Sequence, residues 1–400
     1  MEKKHTEAGN AGIWNRTYTS VFLANSLLFL GMNTVNTLVA KYADYLGATA
    51  TVVGIVSSLF ALTALIFKVF SGPAIDAFNR RNILMLAILT ISLSFFGFGI
   101  SKNVTMLFAF RLLQGCGQAF TATCCLALAA DALPPEKFGV GIGTFTLAQA
   151  VCQALGPTVG LTLSKSIGYQ PTFMLAGACT FCAVIVVGTI RVPESRRKKF
   201  HISPENIAAK EAVLPAVLLF FLQMTFCNIN SFLIIFANQR EVENIGFFFT
   251  AYAIAMLFAP RTIGKLADKM GAVKALIPAM CLFALSFLLI SCAQTLVVFL
   301  LAAVVSAFGY GAAQPAVQTL CMKCVPDERR GAASSTSYIG QDLGNLCGPI
   351  IAGAIAERAG YVVMWRTMII PVVIAILLVL CFHGKIAAVE KSFLERKKNA

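Results

Sequence analysis

Arg111, Gln114 and Gln118 recur at i, i+3 and i+7 inside an apolar run, so a helix there carries a guanidinium and two amides on one face. In hydrocarbon such a face is costly unless it meets protein or a water-filled cavity. Asp342, flanked by Gln341 and Asn345, is the only carboxylate that can be placed deep in an apolar run. An acid in those surroundings can exchange a proton near neutral pH or hold a substrate; the bland alternative is a fixed partner for a cation or for amides. Other amides punctuate apolar runs at Asn25, Asn33 and Asn36, at Gln149 and Gln153, at Gln223, Asn228 and Asn230, and at Gln314 and Gln318. Each can contact a substrate or bond to a neighbouring helix.

Two polar stretches share a pattern. Ser71 to Arg81 holds Gly72, Asp76, Arg80 and Arg81 in what reads as a short turn, and Ile263 to Lys274 holds Gly264 and Asp268 in the same setting. Positions 76 and 268 differ by 192, and that offset also pairs Gly54 with Gly246, Gly117 with Gly309, Gly156-Pro157 with Gly348-Pro349 and Gly168-Tyr169 with Gly360-Tyr361. Identities held at one offset mark an internal repeat. The expected domains are therefore a six-helix bundle over 12–190, a linker over 191–211, a second bundle over 212–382 and a cytoplasmic tail over 383–400.

The elements that position these residues follow from composition. With 58% apolar residues, 12% charged and a mean hydropathy of +0.78, the chain is far from a soluble domain. A span needs about 20 mostly apolar residues, and runs of that length begin near 18, 50, 82, 104, 141 and 171, then near 212, 244, 275, 296, 332 and 361. Twelve transmembrane helices result, an all-α membrane fold. The net charge of +14 is not a nucleic-acid signature, because 24 of the 32 Lys and Arg fall in segments on one side and 6 in loops on the other. That asymmetry places both termini in the cytoplasm, with Arg196 to Lys199 as an anchor at the lipid surface.

Lys68, at the end of the second run, reads as a snorkelling anchor. Gly115 and Gly117 let a neighbouring helix approach closely. Gly156-Pro157 with Gly160, and Gly348-Pro349, are hinge candidates, since a proline removes a backbone donor and bends a span. The 13 cysteines sit almost entirely inside spans and read as packing residues, not as disulfides or a zinc site. His5, His201 and His383 lie at the termini, in the linker or at a span end. There is no metal-ligand spacing, phosphate-binding glycine loop or Gly-x-Ser-x-Gly elbow, so neither a cofactor nor bond catalysis is expected.

The stretch Gly72 to Arg81 resembles the signature loop between helices 2 and 3 of the major facilitator superfamily, and Gly264 to Lys274 its weaker copy. Arg111-Leu-Leu-Gln114-Gly115-Cys-Gly117-Gln-Ala119 resembles the helix 4 motif, and Gly156-Pro157-x-x-Gly160 the antiporter motif of helix 5, as in the twelve-span drug:proton antiporters. Leu161 stands where that motif usually ends in a second glycine, and helix 1 carries Asn where exporters of cationic compounds often hold a carboxylate. The resemblance implies that Asp76 and Arg80 join Asp131 and the start of helix 11 in a latch closing the cytoplasmic side, with Gly72, Gly264 and Asp268 as companion gate positions. It also implies proton coupling through Arg111.

The leading expectation is a monomeric, proton-coupled exporter of a small neutral or zwitterionic molecule in a bacterial cytoplasmic membrane. Its substrate site would be lined by Asn33, Asn36, Arg111, Gln114, Gln149, Asn230, Gln314 and Asp342, with Asp342 carrying the proton. An uptake carrier for a nutrient such as a sugar or amino-acid-like solute is the alternative, and a non-transporting receptor or scaffold is the reading from another class.

Overall fold

The structure, a computed structural model, describes residues 14–133, 138–190, 209–270, 272–326 and 329–399. Within the first half the helices are α1 (Arg16–Tyr45), α2 (Ala50–Ala77), α3 (Arg80–Ile100), α4 (Val104–Asp131), α5 (Phe138–Ile167) and α6 (Tyr169–Gly188). The second half has α7 (Val213–Gln239), α8 (Phe247–Met270), α9 (Ala272–Cys292), α10 (Leu296–Lys323), α11 (Arg330–Thr367) and α12 (Ile369–Cys381), followed by α13 (His383–Asn399). No strand occurs among the described residues.

Local chemistry sets several helix boundaries. Asn15 caps α1 by accepting from the Tyr18 amide at 2.8 Å, and its own amide ties the helix start to Ala132 O. Asn79 caps α3 through the Arg81 amide. Gly168, at φ +87°, separates α5 from α6, and Gly360, at φ +82°, interrupts α11 at the repeat-equivalent position. Only glycine adopts that backbone freely. The eleventh span therefore ends at Gly360, and the twelfth runs from Tyr361 through α12.

Among the described residues nine stretches are long and apolar enough to cross a membrane, the last, Ala332–Cys381, holding the two spans that Gly360 divides. With α5 and α8 the spans number twelve in two bundles. Within each bundle the packing repeats: α1 packs on α5 and α6, α3 on α4 and α6, and α2 on α4, while α7 packs on α11 and α12, α9 on α10 and α12, and α8 on α10. The 192-residue repeat is thus a repeat of packing as well as of sequence.

One local reading is corrected. The Ser71 to Arg81 stretch is not a turn: α2 continues through Pro73 to Ala77, leaving only Phe78 and Asn79 before α3. The segment is polar, but its backbone keeps the helical pattern to the end of α2. The 191–211 segment also folds at its end, where Ala209 donates to Thr336 Oγ1 at 2.8 Å and Lys210–Ala212 forms a 3-10 turn. The tail beyond 382 takes helical form as α13, with Ile386 buried.

Candidate functional site

Arg111 sits on α4 with 1% of its surface exposed. Its Nε donates to Val56 O on α2 at 3.1 Å, and one terminal nitrogen donates to Asn36 Oδ1 on α1 and to Gln114 Oε1, both at 2.8 Å. Gln114 Nε2 donates to the same Asn36 oxygen at 3.0 Å. The rings of Phe60 and Phe98 flank the guanidinium, 5.2 and 5.9 Å from their centroids. A charged group at this depth is held by neutral acceptors and ring faces, with no carboxylate paired to it among the described residues. The network reaches across α1, α2 and α4 of the first bundle. The small residues allow it: a side chain at Gly115 would meet Phe60 O and Thr63 of α2, and one at Gly117 would meet Ala87 O of α3.

Asp342 meets the other bundle. Lys68 Nζ on α2 donates to Asp342 Oδ2 on α11 at 2.6 Å, and the ammonium lies 4.7 Å from the ring centroid of Tyr338, one turn away on α11. The two side chains keep 21% and 15% exposure, so the pair is neither dry nor on the surface. The snorkelling role for Lys68 is corrected: its ammonium turns inward to the opposite bundle because a carboxylate is within reach there.

The remaining amides differ in their partners. Gln149 donates to Asn25 Oδ1 at 3.3 Å, linking α5 to α1. Gln314 approaches Gln318 and Gln341 at 3.4 Å each, and Gln341 Nε2 has no partner among the described residues. Asn33 is different, since its amide bonds back to Phe29 O on its own helix at 2.8 Å. Asn230 is half-buried and makes no hydrogen bond among the described residues. A polar cluster absent from the predicted site joins Tyr310, which donates to Gln223 Oε1, to Gln223, which donates to Asn345 Oδ1 at 2.8 Å. The sequence signal for Gln223 and Asn345 was there, as amides in apolar runs, but nothing along the chain ties them together.

The glycines at 156, 160 and 348 are sites of close helix approach. A side chain at Gly156 would strike Asn33 and Thr34 on α1, one at Gly160 would meet Thr34, and one at Gly348 would strike Met224 O on α7. Pro157 and Pro349 lie inside α5 and α11.

At one end of the molecule, which carries the 191–211 linker, Arg80 pairs with Asp131. The side chains of Asp76 and Asp268 and the surroundings of Gly72 and Gly264 lie outside the described residues. At the opposite end the two bundles are pressed together: a side chain at Gly54 of α2 would lie 2.0 Å from Pro349 O of α11, and one at Gly353 would lie 2.4 Å from Ala50 O. The Thr51 amide donates to Glu357 there at 3.0 Å, and Thr158 of α5 donates to Gly246 O at 2.9 Å and faces Thr250 of α8. Among the described residues the bundles meet through α2 with α11, α5 with α8 and α1 with α7, whereas α4 and α10 make no comparable approach.

Residues 21–243 and 216–399 match the family model described as Major Facilitator Superfamily. The chain is 27% identical over 351 residues to "Multidrug resistance protein 1" of Bacillus subtilis (strain 168), covering 85% of this chain and 88% of that one. It is 28% identical over 372 residues to "Multidrug resistance protein MdtG" of Salmonella schwarzengrund (strain CVM19633), covering 87% and 90%. Among solved structures it is similar to the nucleoside transporter NupG, with a TM-score of 0.72, 14% identity and coverage of 92% and 98%. A POT family transporter bound to a thioalcohol-conjugated peptide gives a TM-score of 0.77 at 12% identity, covering 93% and 96%. At those identities the two structures speak to the fold alone.

Proposed function

From the premise that this chain belongs to the Major Facilitator Superfamily, a family of transporters and not of enzymes, we propose that it is a proton-coupled exporter of a small neutral or zwitterionic organic molecule. It works by alternating access, the two bundles rocking about a site between them. The observation that carries this reading is the Lys68–Asp342 bridge: a carboxylate within the bilayer, partly open to water, joins the moving halves. Asp342 is the proton carrier. Arg111, with Asn36 and Gln114, gives the first bundle a fixed positive site, and Gln149 and Gln314 are further substrate contacts.

Support for the direction of transport comes from the names of the bacterial relatives. By the positive-inside rule the linker end faces the cytoplasm in a bacterial inner membrane. With the far end pressed shut, the site opens toward the cytoplasm, the side from which an exporter loads. The protein acts as a monomer, without nucleic acid or a cofactor. The Arg80–Asp131 pair belongs to a latch that engages when the linker end closes, with Asp76 as its third member, and Gly156, Pro157, Gly160, Gly348 and Pro349 form the points about which α5 and α11 bend.

The test is flux in reconstituted vesicles of known orientation, after a thermal-shift screen of metabolites and drugs has found a ligand. A compound that binds should move out of the linker-end compartment against its gradient when protons run the other way. Binding without pH-driven flux, or flux in the uptake direction only, would overturn the reading.

A further inference from the structure

Lys68 and Asp342 belong to different bundles, so a substrate that enters between the bundles at this point must break their pair. On that reading of the protein, the ion pair must be replaced by something when the carrier turns over loaded, because two separated charges with partial exposure are costly within the bilayer. An uncharged substrate replaces neither partner. A cation that takes Asp342 faces the Lys68 ammonium at contact distance, and an anion that takes Lys68 faces the Asp342 carboxylate in the same way. A molecule carrying both charges satisfies both groups without protonation or repulsion.

We propose that the substrates of this transporter are organic zwitterions, whose anionic group is held by Lys68 and whose cationic group is held by Asp342. Lys68 is thereby the residue that sets substrate charge. The surroundings fit an organic zwitterion. The Tyr338 ring, 4.7 Å from the ammonium, offers an aromatic face to the substrate's body. Gln314 and Gln341 meet on facing helices, and the unpartnered Gln341 Nε2 is a donor beside Asp342 in the chain, suited to a carboxylate oxygen. Arg111 does not compete for the role, because it is 1% exposed and three of its N–H donors already serve Val56, Asn36 and Gln114.

The experiment uses the purified full chain and nine probes: phenylalanine, tyrosine and tryptophan, their decarboxylated amines (phenethylamine, tyramine and tryptamine), and the three propanoates that lack the amine. Each core is thus offered as zwitterion, cation and anion. At millimolar ligand at least one amino acid should raise the Tm of the native protein by about 2 °C or more, and its amine and propanoate should not. In Lys68→Gln the preference should pass to the amine, and in Asp342→Asn to the propanoate. The double variant Lys68→Asp with Asp342→Lys restores a pair of opposite charges and should recover the zwitterion, which guards against single variants that fail to fold. Equal stabilisation of the native protein by amines, no shift with any probe, or an unchanged preference in Lys68→Gln overturns the proposal. Failure of the exporter reading shows separately, as a stabilising zwitterion that a pH gradient does not move in vesicles.

Discussion

Lys68 and Asp342 are 274 positions apart in the chain and 2.6 Å apart in space, and they form an ion pair between the two bundles. If the carboxylate carries the proton, Asp342→Asn keeps the hydrogen-bonding shape and removes the titration. Transport driven by a pH gradient should then disappear, and any compound the variant still binds should move only down its own gradient. Gradient-driven accumulation in Asp342→Asn would exclude Asp342 as the carrier.

Arg111 offers a sharper separation of stability from function. Its charge is surrounded by neutral acceptors, so replacing it with an apolar side chain of similar length removes a desolvated ion and need not weaken the fold. Arg111→Met should leave Tm within about 3 °C and abolish transport. A large fall in Tm would make the guanidinium a structural tie between α1, α2 and α4.

The closed far end rests on backbone contact. Because a side chain at Gly54 would overlap Pro349 O, Gly54→Val prevents α2 from seating on α11. Transport should be lost, and hydrogen exchange at residues 50–54 and 349–357 should speed up by about tenfold or more, as a locally opened state becomes populated. Native exchange rates in Gly54→Val would show the contact to be dispensable.

The linker-end latch should be unequal between the halves. Arg80 pairs with Asp131 in the first bundle, whereas the repeat-equivalent positions are Ala272 and Lys323. Asp76→Asn should therefore lower the transport rate more than Asp268→Asn, measured as initial flux at matched protein density. The reverse order would assign the gate to the second half.

Gly168 and Gly360 test the backbone alone. A side chain at Gly360 has nothing within 4 Å and one at Gly168 only Pro171 at 4.0 Å, so the cost of alanine is conformational. With ψ at 171° and 162° both residues lie outside the αL basin that asparagine tolerates, so alanine and asparagine should each destabilise by about 1–3 kcal/mol. A clear advantage of asparagine over alanine in thermal unfolding would contradict that account.

Much of this architecture could be read along the chain because it is local. Helix length follows from apolar runs, and the repeat shows at glycines such as Gly168 and Gly360 because a positive φ tolerates little else. Arg111 and Gln114 share a face by spacing alone, and they do meet. What escaped was pairing between distant helices. Lys68 was read from its place near a span end, and only the antiparallel register of α2 on α11 brings Asp342 to it. Asn33 and Asn36 looked equivalent in sequence, yet one bonds to its own helix and the other to Arg111, a difference set by how α4 crosses α1. The last turns of α2 were taken for a loop because polar residues there serve an end of the bundle, not because the helix stops.

The seal made by Gly54 and Gly353 against opposing carbonyls contains no charge at its tightest points. Contact of that kind is indifferent to dissolved ions, while the half-exposed Arg80–Asp131 pair at the other end weakens as salt shortens the Debye length, from about 10 Å at 0.1 M to about 3 Å at 1 M. The two ends of the molecule therefore answer to different solvents: concentrated electrolyte weakens the ion pair at the linker end and leaves the carbonyl contacts at the far end unchanged.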